Sequence, residues 1–522
     1  MADKKFLLWD KVTALFKKII SKRSLAFFAG IFSCFLIGTA TEYALSRFVL
    51  GANYTGSYFD SVRMAYCIIP LMIIFVILFE GKRIAEKAER TVFLLIILCG
   101  LLMIICQPFG AGGFDTDFHY KWSLGASFYK TACYTKADMA IIKKTEDFPR
   151  SFSYEQSEKI ADWLNENDNE IIYKGKSKFT VAHIPAGLTF ALCRLFKTSF
   201  KAKYIAGEIA NLFVYALVVF FALRKLKSGK MLLSAIALFP TSVFLASNYS
   251  YDYWVICFSL LGMAYLSNQI FSQKNSSVKD TVIMCSAFAV AALPKLIYAP
   301  LLIIPFFAGK SFKDKKQKNR YILIVFAFLI VSLVLFALKC FEKAETGGDM
   351  RGGEDVNAVG QLEFILSNPF TYLKTLIKFL TKYLSPKNIK GYTVLFGNFG
   401  CSAIFYPYFL LVLIASFTDK SGFECYKNTV AVRIITVIIC FVITAGIATA
   451  LYVDYTPVGL NTVNGCQPRY LLPLIFPFFS VLFGKGIAIK KISKRFYNTV
   501  YLSLLSFLFV ISVVSVFGGM AI

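Results

Sequence analysis

Histidine is nearly absent from the chain: 522 residues contain two, His119 and His183. None of the 13 cysteines forms a CxxC pair, so there is no zinc or redox signature. Most, among them Cys34, Cys67, Cys99, Cys257, Cys285 and Cys440, fall inside apolar runs, where cysteine acts as a small hydrophobe. Cys133, Cys401 and Cys466 fall in loops expected outside and are free to pair, although nothing requires it. Acids are scarce, 31 against 57 Lys and Arg, for a formal charge of +26. The basic residues lie in short loops between apolar runs and not on one face of a folded domain. That argues against nucleic-acid binding and fits orientation in a bilayer. No stretch reads as a soluble catalytic domain. No internal repeat of the kind that marks many transporters is visible. No small-residue cleavage site follows the first apolar run, so an uncleaved start is expected.

What is abundant is apolar sequence: 57% of the residues are hydrophobic, 54 of them Phe. Repeated runs of about 18 or more apolar residues mark transmembrane helices. Spans are expected near 25–46, 64–80, 91–108, 204–222, 231–247, 251–270, 279–292, 296–309, 320–340, 403–418, 433–452, 469–488 and 498–518, thirteen in all. The fold class is an all-α polytopic membrane protein. Basic loops GKRIAEKAER (81–90), RKLKSGK (224–230), GKSFKDKKQKNR (309–320) and KKISKR (490–495) all fall inside if the N-terminus is cytoplasmic and the C-terminus extracytoplasmic. This alternation also requires that the short apolar run 182–196 rest in the outer leaflet as a helix that does not cross.

The expected organisation is a basic cytoplasmic segment (1–24), three spans (25–108), a large outer loop (109–203) and a transmembrane core (204–340). A second outer segment (341–402) and the C-terminal spans (403–522) complete it. In the second outer segment, FTYLKTLIKFLTKYL (370–384) has an apolar stripe at helical spacing opposite Lys374, Lys378 and Lys382. That pattern predicts an amphipathic helix at the membrane interface.

The stretch Gly112–Trp122, GGFDTDFHYKW, follows the third span directly. It places Asp115, Asp117 and His119 at a membrane surface, where desolvating a charge is costly. Further along, Asp252 in SNYSYDYW, Lys295 in LPKLIYAP and Arg469 in NGCQPRYLLP fall at the same outer level, as does His183. Taken singly, each is a helix-end residue facing water, with Lys295 and Arg469 snorkelling. As a set drawn to one leaflet from distant parts of the chain, they mark a functional site. Such a set suits group transfer from a phosphate leaving group. A carboxylate takes the proton of an incoming hydroxyl, and Lys and Arg hold the phosphate, Arg through a bidentate fork.

FDTDFH resembles the PDExxH motif of the DUF2142 family of bacterial membrane proteins. SNYSYD, PKLIYAPLL, LSNPFTYL and LFGNFG look like its later motifs, and NGCQPRYLLPL resembles its GxQGRYFLPL signature, in the family's order from about 107 to 480. The family is similar to the GT-C glycosyltransferases, multi-span enzymes that use polyprenyl-phosphate sugar donors. The resemblance implies a GT-C-like fold and puts Asp115 at the catalytic position, His119 at the motif histidine and Arg469 at the signature arginine. Thr116 stands where the motif has Glu and Pro468 where it has Gly, which leaves open whether Asp117 takes the missing acid's role.

The expected function is transfer of a sugar from a polyprenyl-phosphate donor to a cell-surface glycan or polymer on the extracytoplasmic side of a bacterial plasma membrane. In this reading Asp115 and Asp117 are catalytic, while His119, His183 and Asp252 position the acceptor. Lys295, Arg469, Gln467, Lys374 and Lys378 hold the phosphate. No cofactor is required, although a divalent metal bridging Asp115, Asp117 and His119 is allowed. The partners are the lipid donor, the glycan acceptor and the bilayer, with no nucleic acid. The alternatives are a transporter or flippase for a lipid-linked saccharide, with Glu208 and Asn211 as its path, and a non-catalytic component of surface-polysaccharide assembly.

Overall fold

The computed structural model describes residues 22–52, 56–109, 115–128, 130–143, 154–271, 277–308, 312–344, 352–353, 355–389, 405–419, 429–482 and 492–518. The basic N-terminal segment before Lys22, the LFGNFG motif and Cys401 lie outside these residues. The described chain is almost wholly helical, as the apolar runs predict.

Among the described residues, seven helices are long and apolar enough to cross a membrane. The first begins at Lys22 and runs to Leu50, with α1 (Lys22–Leu45) ending in a π-helical turn. The others are α2 (Ser61–Glu80), α3 (Ala88–Cys106), a helix at Phe200–Lys225, and helices ending at Leu338, Tyr455 and Phe517. Several start where the sequence supplies a cap. Asp60 accepts from the backbone amides of Val62 and Arg63 at the start of α2, and Ser199 accepts from Ala202 N–H before the Phe200 helix. Each cap satisfies an amide that would otherwise have no partner.

Between α3 and the Phe200 helix the first large loop folds into a small unit of its own. It contains α4 (Thr116–Ala126), strand β1 (Thr131–Thr135), α5 (Lys136–Lys143), α6 (Tyr154–Glu166), strand β2 (Ile171–Lys176) and α7 (Val181–Leu195). The strands pair antiparallel, with Tyr134 opposite Tyr173. Tyr120, Tyr134, Leu164, Phe190, Phe200, Tyr204 and Tyr249 form its core. A buried charge inside this core is paired: Lys203 Nζ lies 2.8 Å from Asp168 and 3.8 Å from Asp138, which also accepts from Tyr120 at 2.6 Å. Gly187 lets α7 press against α4. A Cβ there would meet that of Ala126 at 2.7 Å and the Ser123 carbonyl at 3.0 Å.

Helix α7 is short, as expected, and exposes Leu188, Leu192, Leu195 and Phe196. After α8 (Phe200–Lys225) the stretch expected to span at 231–247 is two short helices, α9 (Lys230–Ala237) and α10 (Pro240–Ala246). Pro240 has no amide to continue the first helix, so the chain breaks there and restarts with the proline in the first turn. Every residue from 231 to 250 is buried, and irregular backbone at membrane depth is tolerated only where protein surrounds it. Helices α11 (Asp252–Phe271) and α12 (Val278–Ala292) follow, then α13 (Leu296–Phe307), a largely 3-10 element carrying Pro300.

Long helix α14 (Lys315–Ala344) leads to α15 (Ala358–Ser367) and α16 (Pro369–Tyr383). Helix α16 is the expected amphipathic helix. Leu380 and Tyr383 pack inward, while Phe370, Leu373 and Ile377 stay exposed. The chain ends with α17 (Phe405–Thr418), α18 (Thr429–Tyr455), α19 (Leu472–Leu482, entered by a 3-10 turn Pro468–Leu471) and α20 (Lys494–Phe517).

Candidate functional site

Four helix ends meet. Asp115 precedes the first turn of α4, and its carbonyl accepts from His119 N–H at 3.0 Å. Its φ of +64° is left-handed, a conformation aspartate tolerates better than most residues. Asp252 is the first residue of α11, where the exposed amides of the helix end favour a carboxylate. Lys295 stands just before α13, and Arg469 sits in the 3-10 turn that opens α19.

The four side chains form one chain of alternating charge. Lys295 Nζ donates to Asp252 Oδ1 at 3.0 Å. Asp252 Oδ2 lies 3.2 Å from Arg469 Nε. Arg469 Nη2 donates to Asp115 Oδ2 at 3.1 Å. Side-chain exposure falls from 33% at Asp115 to 18% at Lys295 and 7% at both Arg469 and Asp252. Ions this far from water are tolerated because each has an opposite partner.

Two tyrosines complete the surroundings. Lys295 Nζ lies 3.6 Å from the centre of the Tyr470 ring and 5.0 Å from that of Tyr251, a cation held against two aromatic faces. Tyr298 donates to the Tyr470 carbonyl at 2.6 Å and fixes that backbone.

The histidines stand beside this chain. His119 Nδ1 and His183 Nε2 are 3.1 Å apart. The backbone amide of Thr180 donates to His183 Nδ1 at 3.1 Å, so that nitrogen is an acceptor. Neutral His183 therefore carries its proton on Nε2 and donates it to His119 Nδ1, and neutral His119 carries its own proton on Nε2. Burial holds the His183 pKa well below the usual histidine value, and the neighbouring His119 adds to this. The His119 ring packs edge-on to Tyr251 at 4.5 Å and is within electrostatic reach of Asp252.

The structure thus brings together six of the residues expected from the sequence: Asp115, His119, His183, Asp252, Lys295 and Arg469. Gln467 is adjacent. Its carbonyl accepts from Tyr383 of α16 at 2.7 Å, and its side-chain oxygen is buried without a hydrogen-bond partner among the described residues. Asp117 is not a member of this charge chain: it lies in the first turn of α4, after the left-handed Asp115, and is in electrostatic reach of Tyr204, in the loop's own core. Lys374 and Lys378 are exposed on α16 and make no ion pair among the described residues. No three of His, Cys, Asp and Glu converge to hold a metal among the described residues, so Asp115, Asp117 and His119 do not form a ligand set. Cys133 and Cys466 are free thiols. Sequence reasoning missed Tyr251, Tyr470 and Thr180. The two tyrosines adjoin Asp252 and Arg469 in sequence, and that adjacency was the available signal.

Fold and composition define an integral membrane protein with a charged site where its helix ends meet. A family model described as predicted membrane protein (DUF2142) matches residues 133–477, more than half of the chain, and the protein belongs to that family. The match takes in His183, Asp252, Lys295, Gln467 and Arg469 and begins after Asp115, Asp117 and His119. No curated protein and no solved structure matches the chain.

Proposed function

We propose that the protein is a membrane glycosyltransferase of the GT-C type, using a polyprenyl-phosphate-linked sugar and an extracytoplasmic glycan acceptor. The observation that carries this reading is the charge chain from Asp115 through Arg469 and Asp252 to Lys295, gathered where four helix ends meet. It holds a carboxylate beside two cations, the arrangement required to take a proton and to stabilise a departing phosphate. An acceptor hydroxyl attacks the anomeric carbon and forms the new C–O bond. The bond from that carbon to the phosphate oxygen breaks, and the electron pair leaves with the polyprenyl phosphate, held by Arg469 and Lys295. The hydroxyl proton passes to Asp115. His119, oriented by His183, and Asp252 position the acceptor and the cations.

In this reading the protein lies in a bacterial plasma membrane with thirteen spans, the N-terminus in the cytoplasm and the C-terminus outside. The elements α9 with α10, α11, α12, α13, α17 and α19 complete the crossings beside the seven long helices. A strain lacking the gene should accumulate the lipid-linked sugar on the outer face, where an impermeant lectin reaches it. Accumulation on the cytoplasmic face alone would instead favour a flippase. One observation favours that second reading: Glu208 and Asn211 are buried in α8, and Asn211 bonds to Asn248 and Tyr253.

A further inference from the structure

Arg469 is held between two carboxylates, and the nitrogen shared by both edges of its fork, Nη2, is bound to Asp115. One edge of its guanidinium faces Asp252. A phosphate that is to use the arginine fork must therefore displace a carboxylate. The two carboxylates are not equivalent. Asp252 is buried, is bound a second time by Lys295 and sits at a helix N-terminus. Asp115 is the exposed member and covers an arginine whose own side chain is only 7% exposed. It also precedes α4 as its cap residue, so rotation about its side-chain bonds moves the carboxylate while its carbonyl keeps the bond to His119 N–H. Exchanging one anion for another on Arg469 leaves the charge count of the buried site unchanged, which avoids the large cost of stranding an unpaired buried ion.

We propose that the Arg469–Asp115 ion pair is a gate: an anionic phosphate takes Asp115's place on Arg469, and the displaced carboxylate becomes free for the acceptor. Donor binding and release of the base are then one event, so the donor enters before the acceptor. The gate rests on the proposed function, in which Asp115 is the base and the ligand is a lipid-linked phosphate. The chemistry it reads is the phosphate anion, and a lipid headgroup and free phosphate both carry it.

The test is equilibrium binding of two probes, undecaprenyl phosphate and inorganic phosphate, to the full chain in nanodiscs. Asp115→Asn removes the competing carboxylate. If Asp115 occupies Arg469 in about nine molecules of ten, the variant should bind undecaprenyl phosphate about tenfold tighter than the parent. Asp117→Asn should bind as the parent does. Adding Arg469→Lys to Asp115→Asn should abolish the gain. Asp115→Ser, which also lacks the carboxylate, should reproduce the gain and serves if the Asn variant does not fold. Tightening for undecaprenyl phosphate alone assigns the gate to a lipid headgroup. Equal tightening for inorganic phosphate assigns it to the phosphate group itself. Parent-like or weaker binding by both Asp115 variants, with the parent binding the lipid, overturns the gate and leaves the proposed function standing. No binding of undecaprenyl phosphate to the parent or any variant overturns the proposed function, and the gate with it.

Discussion

Asp252 is the keystone of the charge chain, and replacing it with asparagine should unfold the site. The carboxylate lies 3.0 Å from Lys295 and 3.2 Å from Arg469. At an effective dielectric constant of about 20, each contact is an attraction of about 5 kcal/mol before desolvation is counted. Asp252→Asn keeps the shape, removes both attractions and leaves two buried cations, with Asp115 remaining for Arg469 alone. Breaking a buried pair from one side costs about 3–5 kcal/mol, and that loss is expected here. Lys295→Met should cost less, because Arg469 still neutralises Asp252. The double variant should be more stable than the sum of the single losses implies, with a coupling of about 0.5–3 kcal/mol. Cys99, Cys106, Cys257 and Cys285 are completely buried, so a thiol-reactive dye reports unfolding of the detergent-purified protein on heating. A parent-like Asp252→Asn variant, within about 0.5 kcal/mol as for an ordinary surface change, would refute the argument. Strict additivity in the double variant would also refute it.

Two further outcomes are expected. Buried His183 has a folded pKa well below its unfolded value, so the unfolded chain binds the extra proton first and stability falls as pH drops below about 6.5. Melting temperature should therefore fall more steeply between about pH 7.5 and pH 5.5 in the parent than in His183→Asn, and equal slopes would contradict the assignment. Lys227, exposed in the turn after α8, is expected in the cytoplasm; in a cysteine-free background Lys227→Cys should resist an impermeant thiol reagent added outside, and labelling from outside would overturn the topology.

The long helices were legible because an apolar run of about 20 residues has few other solutions in a chain this hydrophobic. The site was legible for a related reason. Isolated charges such as Asp252, Lys295 and Arg469 stand out against apolar sequence, and they do pair. Other features depend on information that hydropathy does not carry. The break at Phe239–Pro240 falls in an apolar stretch whose hydropathy hides the missing amide. Asp115 and Asp117 are neighbours on paper, but Asp115 precedes the helix and binds Arg469, whereas Asp117 lies in the first turn of α4 in electrostatic reach of Tyr204. The lysines of α16 share a charge with Lys295 and Arg469, yet they are exposed and make no ion pair among the described residues, because Leu380 and Tyr383 take the inward face. The tyrosines around Lys295 were missed because aromatic residues are common throughout the chain, and beside their adjacency to Asp252 and Arg469 it is proximity to Lys295 that distinguishes Tyr251 and Tyr470.

The central claim is that Asp115, held on Arg469, serves a sugar transfer at the membrane. The direct measurement is transfer of radiolabelled sugar from purified polyprenyl-phosphate donor in reconstituted membranes. The parent should transfer. Asp115→Asn should lose about 10²–10⁴-fold in rate, the usual contribution of a general base, while Asp117→Asn, in electrostatic reach of Tyr204, should retain most of it. Parent-like transfer by Asp115→Asn together with a dead Asp117→Asn would contradict the assignment of the base. Full activity in both variants would remove the chemical centre of the account.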